Sequence, residues 1–367
     1  MIIRPLQPED AAQVASLWQY WFRGRTRTPD SGLVDLVQRL YFERPGAVPE
    51  VTSLVADDGA GKLLGIAAVM PTPVLVDGKV QTLAGVFPSV RDPDAPPSVA
   101  SFLLRKLLAG PQVLTFSDGG HLKFERIWHL LGGHIAPTAS LRWLKMFRPV
   151  RSLTASRAYR GAIRCPTTPM LRPGADAADW VARRVRPAWF EVRDTAFTGE
   201  PLEPEALIEA MAIVHARTRL RPLYTPTYLR WLFAEMARIR EQGTFEANLV
   251  RAPDGVPVGW WAAYFNPGQL SRVFALDAGA RHVDGVVDHL FARAADARVG
   301  GLTGRLEPRL RRSMATRGTF TVNGGSLMMV QGRDPSLVDD ALLGRLAMSR
   351  LEGENWYWWA IVSREVP

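Results

Sequence analysis

One order of elements is written twice in this chain, about 190 residues apart, so it is expected to fold as two related halves. The first copy runs strand Thr82–Pro88, a Pro/Asp-rich turn, helix Val99–Leu108, strand Gln112–Phe116 and a helix ending at Leu131-Gly132-Gly133. The second runs strand Ser271–Leu276, turn Asp277–Arg281, helix His282–Ala297, strand Leu302–Leu306 and helix Pro308–Arg317, closed by Gly318. Gly65 and Gly259, Val86 and Phe274, and Trp128 and Met314 keep nearly the same offset. A period this long means tandem domains, because solenoid repeats are far shorter.

Bulk properties agree with that plan. At 367 residues the chain exceeds one core and suits two domains. Hydrophobic content of 47% and charge of 22% describe an ordinary soluble protein. No apolar run reaches membrane-helix length, and the N-terminus lacks a signal peptide's pattern, so the expected address is the cytoplasm. Cys165 is the lone cysteine, which excludes internal disulfides and cysteine-based zinc sites. The net charge of +9 rests on arginine; lysine occurs only at 62, 79, 106, 123 and 145. The densest basic stretch, Arg148–Arg186, leaves a polyanion partner such as tRNA open, but a solvated basic face explains it more simply.

Periodicity places the remaining elements. Glu9–Phe22 and Ser31–Tyr41 read as helices, and Val51–Ala56 and Leu63–Met70 as a hairpin. Asp77-Gly78 marks a second tight turn. More strand is expected around Ala139–Phe147, helices at Thr225–Ile239 and Ser336–Met348, and strands at Phe245–Arg251, Val258–Phe265 and Thr319–Val330. The domains are expected at 1–150 and 188–367, with 151–187 as a linker.

This order of elements, twice over, resembles the GNAT superfamily of acyltransferases, and most of all its tandem-domain bacterial members encoded near exopolysaccharide genes. The likeness is sharpest at Asp118 to Gly133, Leu141-Arg142-Trp143, Phe147-Arg148-Pro149 and Arg350 to Trp356. It implies an α/β fold of two GNAT-like domains, each a mixed, mostly antiparallel sheet flanked by helices. It also implies an acetyl-CoA or other acyl-CoA donor, an amine acceptor such as an amino sugar or cell-surface precursor, and no metal. The donor's arm would lie along Val86, Phe87, Ser89 and Val90, and its diphosphate against Arg91 to Ser98, since a helix start offers unpaired N–H groups to an anion. This sequence departs from the family in that loop. Residues 91–98 hold no glycine, two acids and three prolines, and proline has no N–H to give. The loop of the second copy, Ala278 to Gly285, keeps glycines at another spacing. Where many relatives carry a tyrosine that protonates the leaving thiolate, this chain has Trp128 and Met314.

Candidate chemical groups follow. Asp118, His121 and Asp277 stand at strand ends, where they would take a proton or orient an amine; Asp118 and Asp277 are equally natural helix N-caps. Glu352 and Glu354 alternate with Trp356 and Trp358, which suggests a base of raised pKa or a stacking platform, against an amphipathic closing strand. Trp18, Trp21 and Trp128 would wall a substrate pocket or fill the core. Cluster spacing around His282, Asp284, Asp288 and His289 does not form a metal site. Three functions remain open: an N-acyltransferase, a Fem-type transferase using aminoacyl-tRNA, and a non-catalytic binding module of the same fold. Oligomeric state is not legible in the sequence.

Overall fold

Asp77 and Gly78 both take positive φ, 47° and 79°, the geometry of the expected tight hairpin turn. The turn joins Val69–Val76 to Lys79–Val86, paired in unbroken antiparallel register from Val69↔Val86 to Val76↔Lys79. The computed structural model describes residues 1–24, 26–87, 89–148, 172–185, 187–323 and 326–362; Cys165 and much of the basic stretch 148–186 lie outside them. Contacts gather these residues into two units. One lies within Met1–Ser140, Arg217–Glu241 and Gly325–Pro367, the other within Leu141–Ala216 and Gln242–Gly324.

The first unit carries two sheets. The larger has the order Leu220–Pro222, Val69–Val76, Lys79–Val86, Leu114–Gly120, Leu327–Gly332, His134–Ile135. The smaller runs Ile2–Pro5, Leu54–Asp57, Leu63–Ala67, Val90–Arg91. They meet where two long strands break, at Ala68 and after Val86, and there the Phe87 amide donates to the Ala68 carbonyl at 2.9 Å. Helix Ser98–Leu108 seals one face because Val99, Leu103, Leu104 and Leu107 form an i, i+4 stripe that packs with Val69, Val86 and Trp128. Helix Ser31–Tyr41 buries Leu33, Leu36, Val37 and Leu40, and its Asp30 cap accepts the Leu33 amide at 2.8 Å.

The second unit holds one sheet, ordered Thr198–Pro201, Thr244–Arg251, Pro257–Phe265, Leu270–Ala278, Gly301–Arg305, Leu141–Met146, Phe320–Asn323. Helix Val283–Asp296 covers it with Val286, Val287, Leu290, Phe291 and Ala294.

The units do not follow chain order, whereas cuts at 150 and 188 would. Leu141–Met146, read as the end of the first copy, pairs with Gly301–Arg305 and Phe320–Asn323 in the second unit. Leu327–Gly332, from the second copy, pairs with Leu114–Gly120 in the first. The larger sheet of the first unit and the sheet of the second thus each contain a strand spelled by the other half of the sequence. Periodicity detects a strand but not its partner, which is why pattern reading leaves both at home. The Trp-rich C-terminus is also corrected: it is helix Asn355–Val362, not a closing strand. Its aromatics at 356–359 are consecutive, which suits a helix buried on several sides, and alternation with Glu352 and Glu354 ends where the loop does. No helix among the described residues is long and apolar enough to cross a membrane.

Candidate functional site

In the first unit, Lys79–Val86 and Leu114–Gly120 run parallel and pair over only three residues, Leu83↔Leu114 to Gly85↔Phe116. Beyond Gly85 the two strands no longer pair, and Val86, Phe87, Ser89, Ser117 and Gly120 line a cavity with Leu104, Phe124, Trp128 and Met329. Its free volume is about 20 Å³. One water needs roughly 10–15 Å³, so a larger guest must widen it. Ser89 is buried there with its hydroxyl unpartnered, and an orphan buried hydroxyl is a ready donor for an incoming oxygen.

Opposite Gly85 runs the loop before the last helix. A Cβ on Gly85 would lie 2.4 Å from the Glu352 carbonyl oxygen, so only glycine lets that loop pass. The loop delivers Glu354 to the strand end. Its carboxyl, 1% exposed, accepts from Ser117 Oγ at 2.5 Å, the Asp118 amide at 3.0 Å and the Gly119 amide at 2.9 Å. Burial, with the Asp118 charge beside it, pushes the Glu354 carboxyl well above the usual carboxylate range, although the Ser117 hydroxyl pulls the other way. No arginine, lysine or histidine forms an ion pair with either acid among the described residues. Ser117 therefore stands between the cavity and a strongly perturbed acid. Sequence reading missed it, because a serine inside a strand carries no pattern of its own.

The other expected residues fall as follows. Asp118 is not a helix cap: it sits within the strand, four residues ahead of helix Leu122–Leu130, with Oδ1 accepting the Asn355 amide at 3.1 Å and Oδ2 buried and unpartnered. His121 is exposed at the end of that strand. Glu352 is buried; it accepts from the Ser349 amide at 2.6 Å, the Ser349 hydroxyl and the Tyr224 hydroxyl. Trp18 is core, packed on Tyr41 and Phe87. Trp356 is core too, against Trp231 and Tyr357. Trp21 donates to the Arg91 carbonyl at 2.7 Å, and Trp128 walls the cavity while donating to the Val330 carbonyl at 3.2 Å.

Val90 and Arg91 pair with Ile66 and Gly65. The loop after them does not offer amides outward. Arg91 Nη1 donates to the carbonyls of Asp92, Pro93 and Ala95 at 2.8, 2.9 and 2.5 Å, so the loop closes around its own cation. Ser98 is exposed in the first turn of its helix, where no side chain caps the N-terminus.

The second unit repeats the strand geometry with different contents. Leu270–Ala278 and Gly301–Arg305 pair in parallel for three residues, Leu270↔Gly301 to Arg272↔Thr303. Asp277 is not a helix cap either. It meets His215 Nε2 at 2.7 Å and Arg309 Nη1 at 2.5 Å, and Arg309 also binds Glu307. Burial alone would raise the Asp277 carboxyl, but Arg309 and His215 hold it below the usual range. Lys145, fully buried, donates to the Trp189 and Arg317 carbonyls, and burial pushes it down to about 8. No group of three or more metal-ligating side chains occurs among the described residues.

No family model and no curated protein matches the sequence. Solved structures do match the fold. A GCN5-related N-acetyltransferase from Anabaena variabilis superposes with a TM-score of 0.57 at 11% identity, over 91% of this chain and 73% of that one. A probable N-acyltransferase from Enterococcus faecalis, described as a conserved protein of unknown function, gives 0.55 at 10% identity, over 90% and 72%. Saccharomyces cerevisiae N-myristoyltransferase with bound myristoyl-CoA gives 0.52 at 9% identity, over 90% and 79%. The chain has the GNAT fold across most of its length; at such identity the likeness carries the fold and nothing finer.

Proposed function

We propose that the chain is an N-acyltransferase whose chemistry occurs at the unpaired strand ends of the first unit. The observation that carries this reading is the placement of Ser89, Ser117 and Glu354 at one gap. An acyl-CoA-type thioester would lay its arm along Val86 to Val90, as the fold resemblance implies. An amine nitrogen then bonds to the thioester carbonyl carbon and the carbon–sulfur bond breaks. Ser89 donates to the carbonyl oxygen as it becomes anionic. Ser117 passes the nitrogen's proton to Glu354 and takes it back for the departing sulfur, which leaves as a thiol. A carboxyl raised from its ordinary range is a stronger base than an ordinary one and takes up the proton more readily. This relay stands in for the absent tyrosine at Trp128. Asp118 keeps Glu354 perturbed, and Glu352 with Trp356 holds the loop in place. His121 and Asp277 have no part in these steps.

The fold class and the two-domain ancestry fit a module that was copied and then exchanged strands. An exopolysaccharide setting and a cytoplasmic location remain part of this proposal. The loop closed on Arg91 favours a second reading, a non-catalytic binding module. Calorimetric titration with acetyl-CoA and myristoyl-CoA, followed by assay of thiol release with an amine mixture, separates the two. Binding plus release is the expected result; no binding of either thioester sinks the transferase reading.

A further inference from the structure

We infer that the acceptor is a small apolar amine carrying a carboxylate, held in a cavity that Arg44 closes. This deepens the acyltransferase reading and rests on it for the acceptor's role. The cavity has a volume of about 220 Å³ and lies in the first unit, walled by Leu6, Leu40, Phe42, Val51, Val69 and Pro71. Among the described residues Arg44 is the only charged one that lines it. A second, smaller cavity shares Arg44 and adds Thr72, Tyr224 and Tyr228.

The charge on Arg44 is unbalanced. Its guanidinium donates to the Pro71 carbonyl at 2.7 Å and lies 5.9 Å from the centre of the Tyr228 ring, but it meets no carboxylate among the described residues. Arg4, Arg39 and Arg219 of the same unit each hold an acid. Beside Arg44, Thr72 is 2% exposed and its hydroxyl has no partner. A half-buried cation at the rim of a largely apolar cavity, with the orphan Thr72 hydroxyl in the smaller cavity on the other side of Arg44, matches a carboxylate on a hydrocarbon body, since guanidinium forks bind carboxylates in two-point fashion. Strand pairing ties this cavity to the gap: Val69 lines the first, and its cross-strand partner Val86 lines the second. Directly opposed residues stand roughly 5 Å apart, within the span of an amino acid. An amino sugar lacks the carboxylate and would leave this apolar wall without contact.

The test is calorimetry on the whole protein without any acyl donor, using L-phenylalanine, 2-phenylethylamine and glucosamine. Phenylalanine should bind about tenfold tighter than phenylethylamine, the size of one charge-assisted pair, and glucosamine should not bind. Arg44→Met should remove that preference, and Arg44→Lys, which keeps the charge but not the fork, should retain part of it. Thermal unfolding reports whether each variant is folded. Equal binding of the two aromatic probes, binding of glucosamine in their place, no phenylalanine binding at millimolar concentration, or an unchanged preference in both variants overturns the inference. Phenylalanine binding with no acyl-CoA binding would sink the transferase reading and leave this cavity standing. Acyl-CoA binding with no phenylalanine binding would do the reverse.

Discussion

The two units hold the same three-residue parallel pairing and opposite electrostatics beside it. In the first, a buried carboxyl at Glu354 faces another acid, gains only hydroxyl and amide donors, and is driven up. In the second, Asp277 is clasped by His215 and Arg309 and is driven down. A buried acid without a cation is expensive to keep and chemically responsive; a buried acid held by an arginine and an imidazole is stable and inert. Strand geometry alone therefore does not mark a working site, whereas the company kept by its acids does.

Substitution can break this contrast. Glu354→Gln preserves shape and removes the ionisable group, so acyl transfer should fall about 10²–10⁴-fold while the thermal midpoint holds or rises. A full-rate Gln variant would end the relay. In the other unit, Asp277→Asn leaves Arg309 facing an amide. Arg309 is 28% exposed, so the loss of stability should be about 2–4 kcal/mol, below that of a fully buried pair. Denaturant unfolding would measure it, with transfer by the folded fraction unchanged. Gly85→Ala should cost about 1–3 kcal/mol by crowding the Glu352 carbonyl, and should slow transfer as Glu354 shifts.

The smallest effect sharpens the comparison by pH. Glu354 binds its proton more tightly folded than unfolded, so its contribution is present at low pH and is lost as pH rises from the ordinary 4.5 through the raised native value. Asp277 behaves oppositely: its contribution is present above the ordinary 3.8 and is lost as pH falls through the lowered native value. Stability curves of Glu354→Gln and Asp277→Asn against pH should flatten at opposite ends. Flattening at the same end would show that the two acids are not the contrasting pair described.

Much of the fold was legible because it is local. The Asp77-Gly78 turn, the stripe on Ser98–Leu108 and the helix Pro226–Arg238 follow from turn chemistry and periodicity. The exchange of Leu141–Met146 and Leu327–Gly332 is a matter of partnership across the chain, which no window of sequence contains. The site divides in the same way. Glu354 was readable as an acid among aromatics, but its link to Ser117 spans 237 positions. Asp118 looked like a cap because capping residues and site residues share the same short acidic side chains; only the extension of its strand to Gly120 separates the two.

Strand exchange has a consequence for how the protein is made. The first sheet cannot be completed until Leu327–Gly332 has left the ribosome, so early synthesis yields an unfinished edge that must be shielded or must wait. Severing the chain near its middle would give two fragments that each lack a neighbour strand, and such fragments should recover order only when mixed.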